Sequence, residues 1–335
     1  MSVVIPNWNG RNLLWSCLAS LYRQEFQDFE TIVVDNGSTD ESVPFIRESF
    51  PQVRVIRFDK NTGFSVAVNA GILASKSPYI ALLNNDTVVH LLWLKELVGA
   101  LEADPKAGSA ASKILFFHDS RLINSAGDEF SWFGVAYQRG NRSIDSTKYN
   151  RPCFVFSACA GAALYRRKVF DRVGLFDESF FAYMEDVDLG FRLQLAGYPC
   201  LYVPSAIVYH KHQQTSALIP HLRVHWTERN KLLVLLKDVP SPVFLFIFPF
   251  TGFYTILNFL RIIQKRQFLI YCKAMSDVIH LLPRVLRERR SVQETRVITC
   301  LALIKKMRLV DPLRFIFFPR ISSWIQRVRE GKESG

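Results

Sequence analysis

The first hundred residues alternate short β-branched runs with helically spaced apolar stripes, and this alternation restricts the architecture more than any other feature. Residues 3–5, 31–34, 53–58 and 79–83 read as strands. Between them, Leu14, Leu18 and Leu21 stripe one helix, and Ser38 with Glu41 offers a capping box for a second. Residues 64–74 give a helix of small residues and 91–101 an amphipathic one. Strands alternating with helices predict βαβ units, hence an α/β fold with a mostly parallel sheet flanked by helices. With 335 residues, 49% hydrophobic, the chain can bury one large core and carry an appendage.

Ligands of such sheets bind beyond the carboxyl ends of the strands. Four successive strand ends here carry Asn, Asp or Gly: Pro6-Asn7-Trp8-Asn9-Gly10, Asp35-Asn36-Gly37-Ser38, Asp59-Lys60-Asn61-Thr62-Gly63 and Asn84-Asn85-Asp86. Asp accepts from a base or ribose hydroxyl, Gly lets backbone approach a phosphate, and a carboxylate holds a cation. Turn chemistry alone also favours these residues, so it is the conjunction that points to a nucleotide site. No GxGxxG follows the first strand and no GxxxxGK[ST] occurs, which argues against a dinucleotide dehydrogenase or a P-loop NTPase.

Further on, residues 184–198, MEDVDLGFRLQLAGY, place Glu185, Asp186 and Asp188 in the first turn of a helix that follows Phe180, Phe181 and Tyr183. Carboxylates there complement the helix dipole, and behind an aromatic run they also suit a general base facing a groove. Asp188 and Arg192, four residues apart, are expected to form a structural pair, and Gly197 to stop the helix.

The stretches VVIPNWNG, IVVDNGSTDES, NTGFSVAVNAGI, LLNNDT, CAGAALYRRKVF with VGLFDESFFAYMEDVDLGFR, and AIVYH resemble, in this order, the family 2 inverting glycosyltransferases of the nucleotide-sugar-binding GT-A fold. The bacterial rhamnosyltransferase-like subgroup is the most similar. The resemblance implies that Asp35 meets the base or ribose of the donor, with Pro6, Asn7 and Asn9 in the same pocket. Asn61, Gly63, Asn69 and Asn85 would frame the nucleotide and sugar. Asp86 and His210 would hold a divalent cation, Mg²⁺ or Mn²⁺; Asn84 stands where the family often has the first Asp of its metal motif. Asp186 would be the catalytic base, with Glu185 and Gly161 on the acceptor side. Residues 110–155, including Trp132, Phe133 and Tyr137, are expected to shape that side as well.

Charge divides the chain. Residues 1–239 hold 25 Lys/Arg and 24 Asp/Glu, whereas 17 Lys/Arg face 6 Asp/Glu from Pro240 onward. Residues 240–260 carry no charge, yet Pro249, Gly252 and Asn258 predict a poor straight helix; further apolar surface lies at 315–318 and 324–328. The expected organisation is a catalytic domain over 1–237 and a helical, membrane-associating extension over 238–335. Apolar runs between cationic clusters suit an anionic membrane surface, peripheral or monotopic, rather than nucleic acid; the uncharged run is also long enough for a transmembrane or re-entrant segment. The chain opens on a strand-like run without a basic, apolar leader, and its six cysteines show no paired spacing. Both point to reduced thiols and the cytoplasmic face of the cell membrane. The function so implied is metal-dependent transfer of a sugar, rhamnose being one case, from a nucleoside-diphosphate sugar to a lipid-linked or polysaccharide acceptor. A non-catalytic nucleotide-sugar-binding module or a membrane scaffold is the alternative.

Overall fold

The computed structural model describes residues 1–211 and 220–312; His212 and the runs at 315–318 and 324–328 lie outside the described residues. The chain begins β1 (Ser2–Asn7), α1 (Arg11–Leu21), β2 (Glu30–Asn36), α2 (Ser42–Ser49), β3 (Arg54–Phe58), α3 (Phe64–Ala74), β4 (Tyr79–Leu83). These four strands are parallel in the order β3-β2-β1-β4, with Asn7 opposite Asp35 and Asn36 opposite Phe58, so their carboxyl ends finish level. Val3 to Ile5, Ile32 to Val34 and Ile80 to Leu83 are buried throughout, as strands covered on both faces require.

The predicted capping box does not form. Helix α2 starts at Ser42, after Glu41 in a left-handed conformation, and the Ser38 hydroxyl is taken by the first strand end. A local capping signal loses here to hydrogen bonds between loops.

The sheet continues through β5 (Thr87–Val89), α4 (Trp93–Ala103), β6 (Ser109–Phe116), β7 (Ile123–Ser125), β8 (Asp128–Phe130), β9 (Ala136–Gln138), β10 (Cys153–Val155), β11 (Ala162–Arg166), α5 (Arg167–Val173), α6 (Glu185–Leu195) and β12 (Cys200–His210). Along the main path β10-β12-β6-β11-β4-β1-β2-β3, only β10 and β11 run against the others, giving a mostly parallel mixed sheet. β8 and β9 form a separate hairpin.

Four helices follow: α7 (Pro220–Lys237), α8 (Ser241–Gln264), α9 (Phe268–Glu294) and α10 (Cys300–Lys306). Helix α8 runs unbroken through Pro249, which lies on its exposed side. Among the described residues it is the one helix long and apolar enough to cross a membrane. Asp188 and Arg192 form the expected buried pair at 2.7 Å, and Lys237 at the end of α7 joins it by bonding Asp188 and Asp177. Helix α6 is thereby locked to the first of the C-terminal helices.

Candidate active site

The level strand ends meet through amides. Buried Asn7 donates to Asp35 Oδ1 (3.2 Å) and Ser38 Oγ (3.3 Å), while its own Oδ1 accepts from Asn85 Nδ2 at 2.7 Å. Asn36 at the end of β2 donates to Asn61 Oδ1 and to the Gly63 carbonyl, both at 3.0 Å. Pro6, Asn7, Asn36, Asn61, Gly63 and Asn85 line one wall of a cleft of about 660 Å³. Asp35 is fully buried behind Asn7, and Asn9, at φ 50°, uses its carboxamide oxygen to hold Thr39 N at 2.8 Å. Asn69 bonds Phe176 O (2.8 Å) and N (3.0 Å), tying α3 to the segment before α6. These last three stand outside the cleft lining.

The register of the sheet brings the second constellation together. β5 pairs antiparallel with the end of β12, so that His210 lies opposite Thr87, the residue after Asp86. His210 Nε2 stands 3.1 Å from Asp86 Oδ1, and Nδ1 stands 2.9 Å from Asn124 Oδ1. An amide oxygen only accepts, so Nδ1 donates to Asn124, and Nε2 is the nitrogen that faces the carboxylate. Two acceptors facing each other fit a cation between them, and the carboxylate–imidazole set suits Mg²⁺ or Mn²⁺.

Third comes the start of α6. The loop entering it is strained: Phe181, Tyr183 and Met184 take φ values of 50°, 68° and 70°. Asn230 of α7, fully buried, holds this loop by donating from Nδ2 to the carbonyls of Phe180 and Ala182 (3.0 Å each) and Tyr183 (2.7 Å). The Phe181 ring stacks on Trp226 with centroids 4.7 Å apart. Gly63, at φ 93°, passes so close that a Cβ would fall 2.6 Å from the Phe181 carbonyl oxygen. At Gly190 the helix meets the chain before β11: a Cβ there would lie 2.2 Å from that of Ser157.

So positioned, Asp186 faces the cleft with Glu185 and Gly161. Its oxygens accept from Val187 N (2.9 Å) and Ala160 N (3.2 Å). Burial pushes the Asp186 carboxyl up despite those N–H groups. Asp128, on β8, also lines the cleft, and a carboxylate oxygen of it, one of Asp186 and the Cys159 sulfur lie within 4.8 Å of one another. Burial, then repulsion from Asp186, holds Asp128 well above the ordinary range, and the same two causes raise Glu185. A raised, protonated thiol at Cys159 does not suit a hard cation, so this trio reads as the surroundings of the base.

The remaining wall comes from Tyr137 and Gln138 of β9 and from Arg223, Trp226 and Thr227 of α7. Of the three aromatics singled out in the sequence, Tyr137 lines the cleft, whereas Trp132 and Phe133 turn onto Phe246 and Phe250 of α8. Asn36, Asn124, Asp128 and Asn230 are the functional candidates that sequence reasoning misses.

Residues 2–174 match the profile of glycosyl transferase family 2. The N-acetylglucosaminyl-diphospho-decaprenol L-rhamnosyltransferase of Mycobacterium tuberculosis (strain ATCC 25618 / H37Rv) is 30% identical over 234 residues, 62% of this chain and 75% of that protein. An uncharacterised protein of Sinorhizobium fredii is 33% identical over 229 residues, 64% of this chain but only 25% of its own length. The chondroitin synthase of Escherichia coli is 29% identical over 238 residues, 63% of this chain and 34% of that enzyme. The chain thus spans a quarter to a third of two of these relatives. Among solved structures, GalNAc-T7 with UDP, GalNAc and Mn²⁺ superposes with a TM-score of 0.57 at 18% identity, covering 72% of this chain and 48% of that one. The Pyrobaculum calidifontis mannosyltransferase PcManGT, in complex with GDP-Man and Mn²⁺, gives 0.54 at 15% identity, covering 88% and 85%. The fold is GT-A, and with its matched profile and strand-end architecture the chain belongs to glycosyl transferase family 2, a family of sugar-transferring enzymes.

Proposed function

We propose that this chain is an inverting, divalent-cation-dependent glycosyltransferase of cell-envelope glycan synthesis. It moves a sugar from a nucleoside-diphosphate donor to a lipid-linked or polysaccharide acceptor at the cytoplasmic membrane face. The observation that carries the reading is that one cleft holds both the Asp86–His210 pair and the half-buried carboxylate of Asp186, which desolvation raises. The rhamnosyl relative, which shares 30% of aligned residues, favours rhamnose as the sugar and a polyprenyl-diphosphate glycan as the acceptor.

In this reading Pro6, Asn7, Asn61, Gly63 and Asn85 receive the nucleotide and sugar. Asp35, Asn9 and Asn69 hold the frame from behind through the bonds described above. Asp86 and His210 would hold the cation, which would supply positive charge against that growing on the departing diphosphate. Asp186 takes the proton of the acceptor hydroxyl as that oxygen attacks the anomeric carbon and the carbon–diphosphate bond breaks. Burial leaves the carboxylate basic enough for this near neutrality. A single displacement inverts the anomeric centre. Glu185 and Gly161 border the acceptor.

The test is hydrolysis and transfer over a panel of nucleotide sugars with Mn²⁺, Mg²⁺ or chelator, beside Asp186→Asn. Metal-dependent consumption of one donor with inverted product, lost in Asp186→Asn while nucleotide binding persists, is the expected result. Binding without turnover by the unaltered protein, with envelope lipid extract supplied, would overturn it in favour of a binding module.

A further inference from the structure

We infer that α8 lies in the plane of an anionic lipid leaflet, with one apolar ridge in the acyl boundary, and does not cross the bilayer. This deepens the membrane-borne reading above and rests on it only for the acceptor. Length does not decide the matter, since 24 residues at ~1.5 Å per residue reach across a hydrocarbon core. The two faces of the helix do.

Its inner stripe, Val243, Ile247, Thr251, Tyr254, Asn258 and Ile262, recurs every three or four residues and is buried. That stripe is fastened to the water-soluble body from end to end. Near its start, Ser241 Oγ accepts from Arg289 at 3.0 Å. In the middle Thr251 Oγ1 donates to Trp132 O at 3.4 Å, and Lys231 Nζ sits 5.3 Å over the Tyr254 ring. Towards the end Asn258 Nδ2 donates to Glu228 Oε2 at 2.9 Å, the same oxygen that Lys231 binds at 2.6 Å. A spanning α8 would have to tear away from α7, or carry the Glu228–Lys231 pair into hydrocarbon, where ionised groups are costly.

The outer ridge has no such partner. Leu245 (73% exposed), Phe248 (58%), Ile256 (63%), Leu260 (58%) and Ile263 (48%) follow one face, and Leu269 (81%) opens α9 beyond the turn. An exposed apolar ridge of this extent marks an interaction surface. Its charge complement selects the partner. From Ser241 to Ser276 there is no Asp or Glu; Arg261 turns inward to donate to Asn258 Oδ1 at 2.7 Å, while Lys265, Arg266 and Lys273 are exposed. A ridge flanked by exposed charges that are all positive complements anionic headgroups rather than a second copy of itself. Seating also reaches the cleft: Phe246 and Phe250 carry Trp132 at 5.0 and 5.5 Å, in the loop of the hairpin whose Tyr137 lines the acceptor wall.

The test is flotation of the full chain with phosphatidylcholine vesicles and with phosphatidylcholine–phosphatidylglycerol vesicles. It is run at low and high salt and after alkaline carbonate washing, beside the variant Leu245→Glu/Ile256→Glu/Leu260→Glu. The expected result is flotation with anionic vesicles that falls with salt and is reversed by carbonate. The variant should lose at least tenfold in bound fraction while donor hydrolysis in solution stays within twofold. Carbonate-resistant insertion would overturn the in-plane geometry. A ridge that yields dimers by light scattering and no flotation would overturn the lipid partner. Absence of donor hydrolysis in both proteins, with flotation intact, would sink the enzymatic reading and leave this one standing.

Discussion

Asp86 and His210 lie 124 residues apart in the chain, yet His210 Nε2 stands 3.1 Å from Asp86 Oδ1, with Asn124 holding the far side of the ring at 2.9 Å. The antiparallel pairing of β5 with β12 sets this approach, and the Asn124 carboxamide fixes which nitrogen faces away from Asp86.

If that nitrogen matters, Asn124→Ala should weaken Mn²⁺ binding by about 10–100-fold, the usual worth of a partner that orients a metal-bound imidazole. His210→Ala should weaken it at least as much. Free Mn²⁺ counted by electron paramagnetic resonance, with a nucleoside diphosphate present, measures this without reference to turnover. Equal affinity in all three proteins would remove His210 from the metal site.

The acid limb of kcat/KM should sit above the ordinary carboxylate range, because burial raises Asp186 and only its ionised form accepts a proton. Asp128 carries the repulsion between the two and is still protonated as Asp186 ionises. Asp128→Asn, which keeps that position neutral, should therefore leave the acid limb in place. A limb that moves to lower pH would mean that Asp128 is ionised ahead of Asp186.

The same residue should limit stability. The Asp128 carboxyl is raised in the folded state, so its contribution to stability is full below its unfolded value and is lost as pH rises through the folded one. Asp128→Asn should stabilise the protein at pH 8 by about 1 kcal/mol, roughly 2–4 °C in Tm. The gain should vanish near pH 4, about the unfolded value of an aspartate. Scanning fluorimetry across pH reads this directly, and a destabilised variant at pH 8 contradicts it.

Asn230 gives a sharper test of loop geometry. Its single NH₂ group serves three carbonyls of the strained segment before α6. Asn230→Ala should cut kcat by about 10–100-fold through misplacement of Asp186, with a smaller change in donor KM. Asn230→Asp, of the same shape but unable to donate, should fail as badly. Recovery in the aspartate variant would show that only packing matters at this position.

The βα repeat is legible because its signals are local. The helix Phe64–Ala74 and the strand Tyr79–Leu83 stand where the pattern predicts, and the amphipathic helix begins two residues later than expected, at Trp93. Reading falters where a residue is claimed by something distant. Ser38 has the form of a cap and is spent on Asn7 and Asn9. Asn36 shares a motif with Asp35, and nothing in the motif tells which of the two reaches the cleft; the structure puts Asn36 there. Asp128 and Asn124 sit on three-residue strands too short to carry a period, and Asn230 is hidden inside a helical run. Residues 240–260 mislead in the opposite way: Pro249 predicts a break, and α8 runs through it without one.

Helix α7 presents Arg223, Trp226 and Thr227 to the cleft and Glu228 and Lys231 to the underside of α8. A helix occupied on both flanks ties inheritance of the cleft to inheritance of α8. Grafting a different tail after Val239 would meet a surface already cut for this one, with buried Glu228 keeping Lys231 but losing Asn258. Divergence among such proteins would then move address and chemistry in step, each constraining how far the other can drift.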